Sequence, residues 1–168
     1  KGKTLLCENN QIVGIKDRKS LPTGCKIEHL DGGYLAPGFV DLQVNGGGGV
    51  MFNDDQTLQT LEVISQAHCR LGTYTFLPTL IPDTQARSQA AIDSVAMAIE
   101  KGVPGIAGIH LEGPHLSIAR KGAHEPSLIR SMSDTDLNMI ADATQRLPNV
   151  MLTVAPESVT IPQTQTLA

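Results

Sequence analysis

The sequence predicts an α/β fold built on a parallel sheet, and three observations carry that prediction. Strand-like apolar runs begin near residues 39, 73, 106 and 150. The stretches between them show helical spacing of apolar residues, the arrangement that right-handed βαβ units require. The runs are near-continuously apolar, as expected for strands covered on both faces.

Residues 1 to 33 stand apart from this rhythm. QIVGIKD and KIEHLDGG are short β-like runs broken by SLPTG and DGG turn signals, which predict a small antiparallel piece without helix. The first strand of the regular series is GFVDLQV, residues 38–44. Leu58, Leu61, Ile64, Ala67 and Leu71 then recur at helical spacing, with Asp54 or Asp55 expected to cap the start and Gly72 the end. TYTFLPTL (73–80) is rich in β-branched and aromatic residues and reads as a strand. An amphipathic helix follows over 83–102, with Asp83 expected as N-cap and Gly102 beyond its end. GIAGIHLE (105–112) is the next strand. The helix over 131–147 opens with Ser133 and Asp136, a capping box with Asp in place of Glu. NVMLTVAPE (149–157) is the fourth strand.

Composition removes several function classes. The 168 residues suit one domain or part of a larger one, and 40% hydrophobic residues allow a sizeable core. The net charge is −4 and there is no basic stripe, so nucleic acid is not an expected partner. The chain has no apolar run of 18 residues and so no expected membrane span. It begins at Lys1 with no visible signal peptide. Cys7, Cys25 and Cys69 are an odd number without CxxC spacing, read as free thiols of a reducing compartment. Aromatics at 3% offer no stacking platform.

A (β/α)8 barrel and a doubly wound sheet both fit this order of elements. NGGGGV lacks the Lys-Ser/Thr of a phosphate loop. Polar residues sit at successive strand ends: Gln43 and Asn45, then Thr79, then Glu112, then Glu157. A barrel site is assembled on that face.

Glu112 raises the sharpest question, because a carboxylate emerging from a buried strand is costly unless paired. It either caps a helix or pairs with Lys121 or Arg120, or it serves as a metal ligand or general base. His110 shares its strand face. Such a pair can hold zinc, but His110 sits deeper and reads as a hydrogen-bonded core histidine. Gln43 and Asn45 also share a face; amides are poor zinc ligands but can hold a metal-bound water. Gly46 to Gly49 form either a flexible turn or a place for close backbone approach. His124, in the loop after Glu112, is a candidate for substrate contact. His29, His68 and His115 have no such setting, and His68 reads as surface or core filling.

LAPGFVDLQVNGGGGVMFND, LPTLI, GIHLEGPHLSIARKGAHEP and LTVAPE closely resemble the N-acetylglucosamine-6-phosphate deacetylases of the amidohydrolase superfamily. The resemblance runs from about residue 11 to the end. It implies the first half of a (β/α)8 amidohydrolase barrel over residues 36–168, preceded over 1–35 by part of a small β-sandwich domain. It implies hydrolysis of the acetamide of N-acetylglucosamine 6-phosphate by a cytoplasmic enzyme that is a dimer or tetramer when full length. One divalent metal ion is implied, zinc above iron, cobalt or manganese, with Glu112 as its ligand and Gln43 near the metal-bound water. Ala123, through its backbone, and His124 would contact the phosphorylated amino sugar. The family's two further histidines and its catalytic aspartate map beyond Ala168, so no catalytic residue is expected within this chain. Four strands do not complete a barrel of about 250 residues, and the chain alone is expected to be inactive. The competing readings are another amidohydrolase, such as a dihydroorotase-like enzyme, and a non-catalytic half-barrel. Gln43 and Asn45 in place of His-x-His argue against the first.

Overall fold

Two units make up the chain in the computed structural model, which describes residues 3–168: one extends to Ala36 and the other runs from Pro37 to Ala168. In the first, strands β1 (Lys3–Glu8) and β2 (Gln11–Asp17) form an antiparallel hairpin. Its turn is Asn9-Asn10, both with positive φ (50° and 61°), the conformation a tight hairpin demands and asparagine tolerates. The antiparallel piece is present, but its partner strand is β1 and not KIEHLDGG. The latter pairs with no strand among the described residues and leaves Leu30 63% exposed. A β-like composition without a neighbouring ladder does not make a strand.

The second unit follows the expected rhythm. Its order is β3 (Phe39–Val44), β4 (Gly46–Gly47), β5 (Val50–Met51), α1 (Leu58–Arg70), β6 (Thr73–Leu80), α2 (Gln85–Glu100), β7 (Ile109–Glu112), α3 (Asp134–Arg146), β8 (Val150–Thr153) and α4 (Ile161–Leu167). Strands β3, β6, β7 and β8 lie side by side in that order, and every pairing is parallel. Two strands are shorter than the apolar runs imply. Before Ile109 only Ile106 bridges, to Phe76, and Pro156 and Glu157 fall in a 3-10 turn beyond Thr153.

Side-chain competition moves two helix caps. Thr57, not Asp54 or Asp55, caps α1 by accepting from the Thr60 amide. Asp55 instead accepts from the hydroxyls of Thr57 and Thr60, each at 2.8 Å. Thr84 caps α2, because Asp83 is taken up by Asn53 and by Arg87. Ser133 and Asp136 form the expected capping box.

The core lies between the sheet and its helices. Leu61, Ile64, Phe76, Ile92, Val95 and Ile109 are fully or almost fully buried there. The opposite face of the sheet is open. Val40 is 64% exposed and Leu42 53% exposed, and both border an apolar groove with Leu77, Val150 and Met151. No helix among the described residues is long and apolar enough to cross a membrane.

Candidate functional site

The C-terminal ends of the four parallel strands gather the polar residues. Strand β3 carries a register shift between Asp41 and Val44, an irregularity of the kind that re-aims a side chain. Val44 turns into the core and Gln43 remains exposed. The chain then folds back as the β4–β5 hairpin. Gly48 has φ +64°, and a Cβ there would lie 2.7 Å from Val63 Cγ1, so the hairpin rests on α1 closely enough to require glycine. His68, on α1, donates from Nε2 to the Gly46 carbonyl at 2.9 Å and stacks on Phe76. It fills space against the core at Phe76, as its place on the helix suggested, and it also fastens the glycine hairpin to the helix.

Glu112 ends β7 with its side chain 19% exposed. Gln43 Nε2 donates to Glu112 Oε2 at 2.9 Å, across 69 residues of sequence. His124 Nε2 lies 3.4 Å from Glu112 Oε1, and the imidazole is likewise 19% exposed. Each carboxylate oxygen thus meets a different element. Among the described residues the basic side chain beside the Glu112 carboxylate is the imidazole of His124, not Lys121 or Arg120. Lys121 turns to the carbonyls of Gly122 and His124 instead, at 3.4 Å each.

The loop that presents His124 leaves Glu112 through Gly113. There φ is +83°, and a Cβ would stand 2.9 Å from Leu116 Cγ. Arg130 gathers the far end of the loop. Its amide donates to the Pro114 carbonyl at 3.1 Å, and its own carbonyl accepts from His115 Nδ1 at 3.1 Å. Arg130 in turn pairs with Asp136, which is fully buried and also accepts from the amide and hydroxyl of Ser133. Burial favours the neutral acid, but the bonds from Arg130 and Ser133 outweigh it and hold the carboxyl at about 2. His115 was not singled out in the sequence, yet it is 1% exposed. Burial lowers its pKa.

His110 is 2% exposed. Nδ1 lies 3.2 Å from Thr79 Oγ1 on β6 and Nε2 lies 2.8 Å from Thr153 Oγ1 on β8. Burial pushes its pKa down, opposed by the charge of Glu112. The hydrogen-bonded core histidine is there, and it spans three strands. Asn45 is half-buried; its carbonyl accepts from the Phe52 amide at 2.9 Å. Ala123 lies exposed beside His124, and His29 is exposed in the first unit. Among the described residues no three His, Cys, Asp or Glu side chains converge as a metal-binding group.

No protein-family model matches the chain. Individual relatives do. It is 49% identical over 158 residues to an N-acetylgalactosamine-6-phosphate deacetylase of Shewanella sp. (strain ANA-3), covering 93% of this chain and 40% of that protein. It is 34% identical over 154 residues to an N-acetylglucosamine-6-phosphate deacetylase of Haemophilus influenzae, covering 91% of this chain and 40% of the relative. Among solved structures, the N-acetylglucosamine-6-phosphate deacetylase of Pasteurella multocida superposes with a TM-score of 0.87 at 32% identity, over 98% of this chain and 42% of the other. The chain therefore spans about two fifths of the length of the relatives it matches.

Proposed function

We propose that this chain, which belongs to the family of N-acetylglucosamine- and N-acetylgalactosamine-6-phosphate deacetylases over the length it shares with them, supplies part of the site that hydrolyses the acetamide of an N-acetylhexosamine 6-phosphate. One observation carries the reading. Glu112 is a strand-end carboxylate with no lysine or arginine partner among the described residues, held by an amide on one oxygen and an imidazole beside the other. A half-buried charge of that kind fits a bound cation.

Glu112 would be the protein ligand to a divalent metal, zinc by preference, with Gln43 at the edge of the coordination sphere. When bound, such an ion polarises the amide carbonyl and lowers the pKa of a water. The donor set here fits as one part of a site, because a catalytic zinc normally takes about three protein ligands. Polypeptide 1–168 made alone is accordingly expected to bind metal weakly and to turn over no substrate. His124 and the Ala123 backbone would orient the phosphorylated sugar, with the imidazole close enough to Glu112 to feel its charge. None of the described residues is assigned the proton transfer.

The four parallel strands are read as the first four of a (β/α)8 barrel, and the first unit as part of a small β-sandwich. The exposed apolar face around Val40 and Leu42 supports the former, since a barrel interior is filled by such side chains. We read Cys7, Cys25 and Cys69, odd in number and without CxxC spacing, as thiols of a reducing, cytoplasmic setting.

The sugar epimer has two readings. The motifs resemble the glucosamine enzymes, whereas the Shewanella relative at 49% identity is named for the galactosamine substrate. Acetate release from N-acetylglucosamine 6-phosphate and from N-acetylgalactosamine 6-phosphate, measured side by side on the protein carrying this sequence, decides between them. Glu112→Gln should strip most of the bound metal. Its loss of turnover should exceed the roughly 10–100-fold that removing an outer-sphere partner costs. Unchanged metal content in that variant, or no turnover of either sugar by the parent, overturns the reading.

A further inference from the structure

The pairing of β6 with β7 is sparse. Two register pairs, Thr79 with His110 and Leu80 with Leu111, join the strands near the site. Yet the contact from Gln43 to Glu112 has to pass over β6, because the strand order is β3, β6, β7, β8. The lateral spacing of these strands therefore sets whether amide and carboxylate meet. His110 sits where that spacing is decided. It occupies the same strand face as Glu112, two residues deeper, and both ring nitrogens are engaged.

The hydrogen-bond roles follow from the donors available. Thr79 Oγ1 donates its proton to the Leu77 carbonyl at 3.2 Å, so the bond between Thr79 and the ring is donated by Nδ1–H. Nε2 is then an acceptor, and the Thr153 hydroxyl donates to it. Thr153 is the register partner of Glu112, and its carbonyl also accepts from the Gly113 amide at 3.0 Å. Glu112 is thus bracketed by one neighbour, Thr153, which His110 grips from below and Gly113 from above.

We propose that His110 is a positioning residue for Glu112, cross-linking β6, β7 and β8 through Thr79 and Thr153 so that the carboxylate stays within reach of Gln43 and His124. The proposal concerns the geometry of the carboxylate, and rests on the functional reading only for what that carboxylate then does.

The test follows the side-chain amide of Gln43 by NMR in the active protein carrying this sequence, not in polypeptide 1–168 alone. Lost stability alone does not move that readout in molecules that remain folded. Thr153→Val keeps the shape and removes one bond. His110→Asn retains an amide near the Nδ1 position and loses the reach to Thr153, while His110→Gln does the reverse. In Thr153→Val and His110→Asn the Gln43 amide should lose its hydrogen-bonded shift and exchange roughly tenfold faster, the factor that one lost hydrogen bond implies. His110→Gln, which restores the bond to Thr153 but not the one to Thr79, should recover only part of that shift. Affinity for Co2+, followed by its absorption, should fall in the same order. Should a folded Thr153→Val keep the Gln43 amide at its parent shift and exchange rate, His110 is only a core residue and the proposal fails. A Gln43 signal that moves while turnover does not would uphold the positioning role and count against Glu112 as the functional carboxylate.

Discussion

Replacing Asp136 by Asn tests how the loop bearing His124 is secured. The carboxyl is fully buried and accepts from Arg130 and from the amide and hydroxyl of Ser133. Its folded pKa of about 2 lies below the ordinary 3.8. At 1.36 kcal/mol per unit, that difference corresponds to about 2 kcal/mol of folding stability. The folded value is the depressed one, so this stability is fully present above pH 3.8 and is lost as pH falls through about 2. Urea unfolding at pH 7 should place Asp136→Asn about 2 kcal/mol below the parent, and by pH 3 the gap should shrink to roughly half. The variant should also weaken the site, because Arg130 ties both Pro114 and His115 to the start of α3. A gap of equal size at pH 7 and pH 3 would refute the linkage argument. A variant as stable as its parent at pH 7 would refute the role of the ion pair altogether.

Further outcomes follow from the same geometry. His124→Asn should raise KM or lower kcat while metal content, read by elemental analysis, stays near that of the parent; loss of metal would show that the imidazole is a ligand. His110 and His115 both have folded pKa values below 6.5, so stability should be full above that pH and decline as pH falls below it, visible as a falling Tm between pH 7 and 5. Gly113→Ala forces a side chain into φ +83° and against Leu116. It should cost about 1–3 kcal/mol, or several degrees of Tm, and a variant that melts with the parent would mean the turn readily relaxes.

The βα order was legible because apolar periodicity at 3.6 residues and continuous apolar runs are properties of the chain itself. The Ser133–Asp136 capping box was legible too, but the caps of α1 and α2 were not, since Asp55 and Asp83 have other partners: the hydroxyls of Thr57 and Thr60 for one, Asn53 and Arg87 for the other. KIEHLDGG failed for a related reason, because strand propensity needs a ladder to join. At the site, Glu112, Gln43 and His124 stood out by position and residue type. That Gln43 and His124 converge on the two oxygens of Glu112 depends on a strand crossing and a loop path that no local pattern encodes. His68 and His115 were overlooked because each is tied to a carbonyl, Gly46 in one case and Arg130 in the other, and a carbonyl carries no sequence signature.

The order of the parallel sheet also bears on how the chain acquires its structure. Strands starting at residues 39, 73, 109 and 150 are laid down side by side in the order they are synthesised. Each strand therefore needs only its predecessor as a template, and the growing edge is always the segment most recently made. At about 5–20 residues per second a ribosome takes seconds to deliver each successive unit, whereas loops and helices close in microseconds or less. The sheet can build vectorially, strand upon strand. Gln43, among the first of the site residues to emerge, waits at one edge until β7 arrives with the carboxylate it will hold.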